Sequence, residues 1–230
     1  MLHFYGFFAV PQERLLEQKL RRQHANAGSI ILPLAGIGLY ALSPPASRRT
    51  LKHTRSIQVA AFARDDGLWD IDAHITDIKT RDIQLAAGTR AANTPLHDLW
   101  LRLTIDTQLT VVDAEAVSDA VPYPGFCDTI GPAYEKLIGL NLVRGFRKQL
   151  NERLAGVLGC THLTELAQVL PTAAIQAFAG DVFDTRESGP GSAGSKPFQL
   201  DRCHALRSDG AAVAQFYPRW AAKTASPESS

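Results

Sequence analysis

The chain has 230 residues, of which 45% are hydrophobic, so it is long enough to bury the core of one medium-sized domain. Its 24 basic and 23 acidic residues leave a net charge of +1, which argues against the concentrated basic surface of a nucleic-acid binder. Three widely spaced cysteines do not make a disulfide framework and predict a reducing, cytoplasmic setting.

Residues 1–42 form an atypical stretch ahead of the predicted domain. Residues 1–10 are apolar without a basic start, and the apolar run over residues 30–42 is interrupted by a proline and two glycines. This run is shorter than the ~20 residues of a membrane-spanning helix, and no signal-peptide cleavage site follows a basic region. We expect an extension that is disordered or non-native, no membrane span, and a single domain over residues 43–222.

Alternating apolar and polar side chains predict a first antiparallel hairpin. The alternation begins at Ile57, passes the turn Asp65-Asp66-Gly67 and continues from Trp69 to Ile75. Asp70, Asp72 and His74 share its polar face; this spacing suits a divalent ion, but it is also typical of a solvated sheet face, which we favour.

A second hairpin follows a loop over about residues 87–95. Leu99 to Ile105 alternates, residues 106–108 form the turn, and Leu109 to Val117 returns. The apolar face of the returning strand switches near Val112, which predicts a β-bulge.

Apolar residues at helical spacing predict two helices after residue 125. Pro171 is expected to kink or restart the second helix. We expect a flexible loop near residues 184–197, a last hairpin around Ser208-Asp209-Gly210 with residues 212–217 as its return strand, and a disordered tail over 223–230. Strands followed by helices predict an α+β fold, with an antiparallel sheet of two or three hairpins covered by two or three helices. The two predicted apolar stripes are Val143, Phe146, Leu150 and Leu154, and Leu163, Leu166, Leu170 and Phe178.

The stretch Gly159-Cys160-Thr161-His162 places a thiol and an imidazole at a predicted helix start. The positive end of a helix dipole favours the thiolate, which is the form that attacks electrophiles and binds metals. His162 could pair with the thiol or bind the same ion. The alternative, given equal weight, is a small buried cysteine beside a histidine that packs locally.

Two further positions are candidates for the same site. His97 and Asp98 lie at the start of a predicted strand, where a carboxylate can orient an imidazole or share in binding an ion. Cys127 follows a Pro/Gly-rich approach, although a buried thiol is favoured there. Cys203-His204 lies in a presumed strand, whose adjacent residues face opposite ways and cannot easily reach one ion.

Several separated strings resemble a bacterial family known as domain of unknown function 2889. These strings recur in order over about residues 43–220, and the family typically begins near Leu42. The resemblance implies that Asp70, His97, Asp98, Cys160 and His162 belong to a shared pattern, but it brings no reaction with it. The strings are Arg64–Ile71, His97–Asp106, Gly159–Leu163, Cys203–Leu206 and Tyr217–Trp220.

A fainter similarity is to iron–sulfur scaffold proteins, in which a strand-rich half with an early ligand precedes a Gly-Cys pair that opens a helix. The order His97/Asp98, Cys127, Cys160 follows that plan, without the cysteine-rich ligand set of a scaffold.

These observations support three hypotheses. The first is a metal or thiolate site built from Cys160 and His162 with His97, Asp98 and Cys127, binding zinc or iron and passing metal or a cluster to a protein partner. The second is a small hydrolase or transferase that acts on a small molecule, using Cys160 as nucleophile or a metal-bound water. The third is a protein-interaction module whose motifs are structural.

Overall fold

The computed structural model describes residues 43–185 and 196–222. The chain divides into two units, Met1–Arg49 and Thr50–Ser230. The described residues of the first unit, 43–49, are exposed and contain no helix or strand. The predicted extension over 1–42, residues 186–195 of the predicted loop and the predicted tail lie outside the described residues.

Both predicted long hairpins are confirmed, and they form one antiparallel sheet in the order β1-β2-β5-β6. A short separate hairpin of β3 and β4 occupies the connection that was expected to be mostly loop. The strands are β1 (His53–Ala63), β2 (Trp69–Lys79), β3 (Ile83–Leu85), β4 (Gly88–Arg90), β5 (Pro95–Ile105) and β6 (Val111–Ala120).

The predicted bulge at Val112 is confirmed. Thr104 pairs with Asp113 and Ile105 pairs with Val111, so Val112 has no partner in the ladder. The extra residue moves the buried side chains of β6 from odd-numbered positions, such as Val111, to even-numbered ones, such as Ala114. This is the switch of apolar face that is visible in the sequence.

Helices cover one face of the sheet and complete the α+β fold. They are α1 (Phe146–Leu154), α2 (Thr161–Phe178) and α3 (Ala211–Phe216), with 3₁₀ helices at Cys127–Leu137, Gly156–Leu158 and Pro218–Trp220. Apart from Val143, which is exposed, the residues of the two predicted stripes are buried. They join a core with alternate residues of the central strands: Ile71, Ala73, Ile75, Leu99, Leu101 and Leu103.

Two local predictions are wrong. Pro171 does not restart the helix: α2 runs from Thr161 to Phe178 without a break, and Leu170 and Ala174 on either side of the proline are buried. The expected return strand of a last hairpin is instead α3, since its alanine-rich sequence favours a helix. Cys203 therefore lies in an exposed turn rather than in a strand. Among the described residues, no helix has the length and apolar character of a membrane span.

The helix-covered face changes character at one end of the sheet. There Asp77 of β2 and His97 of β5 take the positions that apolar residues occupy further along both strands. Helix α2 begins over this end, because His162 in its first turn lies within 3.4 Å of Asp77. Polar side chains from the sheet and the helix therefore meet at the edge of the core.

Candidate functional site

Asp77 is the buried carboxylate at the centre of this polar group. It follows Ile75 on the helix-covered face of β2, and only 3% of its surface is exposed. The strand register places Arg55 of β1 and His97 of β5 directly beside it. Three neighbouring strands thus bring a guanidinium, a carboxylate and an imidazole into one row.

Hydrogen bonds from β1 keep the carboxyl group of Asp77 ionised. The Arg55 guanidinium donates from Nε to Oδ1 (2.9 Å) and from Nη2 to Oδ2 (2.8 Å), and His53 Nε2 lies 2.7 Å from Oδ1. Burial alone would raise the pKa of Asp77, but these donors outweigh it and lower the pKa from 3.8 to about 2. Asp77 is therefore a full negative charge at neutral pH.

Two imidazoles approach the same oxygen of Asp77. Nδ1 of His97 lies 3.1 Å and Nε2 of His162 lies 3.4 Å from Oδ2. The two rings are 3.8 Å apart between centroids and tilted by 32°. Burial, together with the neighbouring His162, lowers the pKa of His97, which favours the neutral ring. Asp77, His97 and His162 form a possible metal-binding group, whose ligand atoms all lie within 4.8 Å of one another.

Cys160 contacts the other nitrogen of His162. It is the N-cap residue of α2, with extended backbone angles, and its Sγ lies 3.9 Å from His162 Nδ1. Burial opposes ionisation of the thiol, but the hydrogen bond to His162 and the backbone N–H groups of Leu163 and His162 outweigh it and lower the pKa of Cys160. The predicted thiol–imidazole contact at the helix start is thus present.

A buried tyrosine holds the backbone of Cys160. The hydroxyl of Tyr134, in the 3₁₀ helix Cys127–Leu137, accepts from the Cys160 N–H (3.1 Å) and lies 2.9 Å from both the Cys160 carbonyl oxygen and Thr164 Oγ1. Arg55 adds a second link, because its Nη1 donates to Glu165 of α2 at 2.5 Å. The first turn of α2 is therefore fixed to both the 3₁₀ helix and the sheet.

The structure brings together some of the five predicted site residues and separates others. His97 and His162 meet at Asp77, and Cys160 joins through the ring of His162. Asp98 does not join them, because adjacent strand residues face opposite sides of a sheet. Its Oδ1 lies 2.5 Å from His74 Nε2 instead. Cys127 packs against the hydrophobic core and is not a member of the ligand group.

Asp70, Asp72 and His74, on the polar face of the first hairpin, are each engaged by a side chain of the neighbouring strand β5. Asp72 forms a two-pronged pair with Arg102, Asp70 accepts from Thr104, and His74 stacks on Trp100 with centroids 3.7 Å apart. None of these residues belongs to the ligand group found among the described residues.

The residues missed by the sequence reasoning are Asp77, Arg55 and His53. A signal for Asp77 was present, because the alternation of β2 continues beyond Ile75 and puts this acid on the apolar face. A carboxylate at an apolar strand position must be paired or neutralised, which marks it as a site candidate. Arg55 and His53 had no comparable signal, since only the strand register brings them to Asp77.

The chain belongs to the family described as "Protein of unknown function (DUF2889)", which matches residues 53–176. This confirms the family resemblance seen in the sequence. The matched range includes every residue of the polar group, from His53 to Glu165. No curated protein and no solved structure matches the chain.

Proposed function

We propose that this family member binds one divalent transition-metal ion, zinc or iron, through Asp77, His97 and His162. The observation that carries the proposal is the convergence of three ligand atoms from β2, β5 and α2 at the edge of the core. Bringing together ligand atoms from residues distant in sequence costs free energy, and the free energy of binding an ion would offset that cost.

The donor set fits these ions in chemistry, and the two distances from the carboxylate oxygen to the imidazoles fit them in spacing. One carboxylate oxygen with two imidazole nitrogens is a common zinc or non-haem iron combination. Metal–ligand bonds of about 2.0–2.2 Å put neighbouring ligand atoms about 3.0–3.5 Å apart. The distances from Asp77 Oδ2 to His97 Nδ1 and His162 Nε2, 3.1 and 3.4 Å, fall in this range.

The protonation states and the surrounding charges also support binding. Ionised Asp77 and neutral His97 are the forms that bind an ion, so little proton release is required of them at neutral pH. Arg55 opposes a cation, but its charge is matched by Asp77 and Glu165, which it contacts together. The three charged groups therefore carry a net charge of −1 towards an ion.

Three protein ligands leave coordination positions open, as in catalytic or exchanging sites rather than closed structural ones. A bound ion would supply Lewis acidity or a deliverable metal at those positions. Of these two roles, Lewis-acid catalysis and metal delivery, we propose metal delivery. His162 is partly exposed, so an ion could leave without unfolding the core. The donor set supports a single ion over an iron–sulfur cluster, which is held mainly by thiolates.

Elemental analysis of the full chain, purified without a histidine tag, tests the proposal. We expect about one equivalent of zinc or iron per chain, and loss of that metal in His97→Gln and His162→Gln. The matched control is His74→Gln, which removes a half-buried histidine from the other face of the same sheet and should keep the metal. Failure of the wild type to bind added Zn²⁺ or Fe²⁺, or full binding by His97→Gln, would contradict the proposal.

A thiol enzyme, a small hydrolase or transferase, is the second candidate. The observation that favours it is the order Cys160 Sγ, His162 Nδ1, His162 Nε2, Asp77 Oδ2, which is the sequence nucleophile, base and orienting carboxylate of thiol and serine catalysis. Such an arrangement would make Cys160 react with iodoacetamide faster than the more exposed Cys203 at neutral pH, and Asp77→Asn would slow it. Equal or slower labelling of Cys160 in the wild type would refute this candidate.

A further inference from the structure

The outer edge of β1 is an unpaired strand edge. All eleven residues of β1 pair with β2 on one side, without a register shift. On the other side, β1 has no strand neighbour in the described part of Thr50–Ser230. Edge strands usually avoid pairing with other chains by being short, bulged, or rich in lysine or proline. β1 is eleven residues long, has no register shift and contains no lysine or proline. Its one arginine, Arg55, is held by Asp77 and Glu165 of the same chain, and residues 56–63 carry no charge.

We propose that β1 pairs antiparallel with β1 of a second copy, which makes one continuous eight-stranded sheet across a two-fold axis. This inference goes beyond the metal site and does not depend on it. Gln58 is the central residue of the strand, so an axis at Gln58 lets all eleven residues overlap.

The sequence of β1 is complementary to itself in this register. Ile57 lies opposite Val59 of the second copy, and Arg55 lies opposite Ala61 of the second copy. No charged residue faces a like charge, which would destabilise a strand pair. Residues on the helix-covered face pair only with residues on the same face, so both helical layers lie on one side of the extended sheet.

The helical layer adds apolar surface at the same edge. Glu165 of α2 contacts Arg55, which places this side of the helix over β1. Val169 follows Glu165 by one helical turn on that side. Val169 and Ile57 are each 37% exposed, so large apolar side chains in both layers border the open edge. A second copy would cover both residues, in the isologous manner of two-fold interfaces.

The register predicts a charge-reversal experiment at Gln58, which is exposed and directly faces Gln58 of the second copy. Light scattering coupled to size-exclusion chromatography should show the full wild-type chain as a dimer. Gln58→Lys brings two ammonium groups together and Gln58→Glu brings two carboxylates together. Each variant alone should dimerise up to about fivefold more weakly, and an equimolar mixture of the two should recover the dimer.

The matched control is Gln84→Lys, the same substitution at an exposed residue of the separate two-stranded sheet, which should leave the dimer unchanged. Circular dichroism should show all variants to be folded like the wild type. A wild-type chain that is monomeric at every concentration overturns the proposal. So does a Gln58→Lys dimer as tight as the wild type, or a mixture of the two variants that stays monomeric.

Discussion

Replacement of Asp77 by asparagine should destabilise the fold in a pH-dependent way. Asparagine keeps the volume of the side chain but loses the charge that Arg55 and His53 bind. The pKa of Asp77 is about 2 in the fold, against 3.8 ordinarily. At ~1.4 kcal/mol for each pH unit between these two values, the ionised carboxylate stabilises the fold by about 2.5 kcal/mol at neutral pH.

The direction of this pH dependence follows from the lowered pKa of Asp77. The stabilisation is complete above about pH 5 and is lost as the pH falls through 2, with about half of it gone by pH 3. Urea unfolding of wild type and Asp77→Asn at pH 6 and pH 3 measures the difference in unfolding free energy between them. We expect a difference of about 2.5 kcal/mol or more at pH 6 that shrinks by about 1.1 kcal/mol at pH 3.

Asp72→Asn is the control for a carboxylate–arginine pair at the surface. Asp72 binds Arg102 with the same two-pronged geometry, but the Arg102 side chain is 46% exposed, so loss of the pair should lower the free energy of unfolding by less than about 1 kcal/mol. A difference between wild type and Asp77→Asn that is equal at both pH values would refute the electrostatic reasoning. If Asp77→Asn lowers the free energy of unfolding at pH 6 by less than Asp72→Asn does, the central role of Asp77 is refuted.

Three further substitutions test how α2 is held in place. Tyr134→Phe removes the hydroxyl that binds the backbone of Cys160, so we expect the free energy of unfolding in urea to fall by about 1–3 kcal/mol. An unchanged free energy would show that this contact does not stabilise the fold. Gly159→Ala places a Cβ 2.5 Å from the Leu154 carbonyl oxygen, so it should destabilise by about 1–3 kcal/mol, and an unchanged melting temperature would contradict this. Leu166→Ala opens a cavity under the helix at a cost of about 2–5 kcal/mol by denaturant titration; a smaller cost would mean that α2 packs loosely on the sheet.

Most of the sheet was predictable because its strands carry a period-two pattern on a half-buried surface. The turn Asp65-Asp66-Gly67 and the parity switch at Val112 located the first hairpin and the bulge. The C-terminal error has a physical cause. Residues 211–216 have one buried side chain, Val213, so too little of the pattern was available to distinguish a short helix from a strand.

The site was only partly predictable, because its centre is defined by strand register. His97 and His162 stood out as rare side chains at element starts. Their shared partner, Asp77, lies 20 residues from His97 and belongs to a different strand. Asp98 was chosen for its adjacency to His97, whereas the alternation of a strand separates these two residues between opposite faces.

X-ray absorption spectroscopy of the zinc-loaded full chain measures which atoms bind the metal ion. We expect only nitrogen and oxygen neighbours at about 2.0–2.2 Å, with the outer-shell scattering of two imidazole rings. Cys160 contacts His162 through Nδ1 while Nε2 faces Asp77, so no sulfur should bind the ion. A sulfur neighbour at about 2.3 Å, or fewer than two imidazoles, would contradict the assignment to Asp77, His97 and His162.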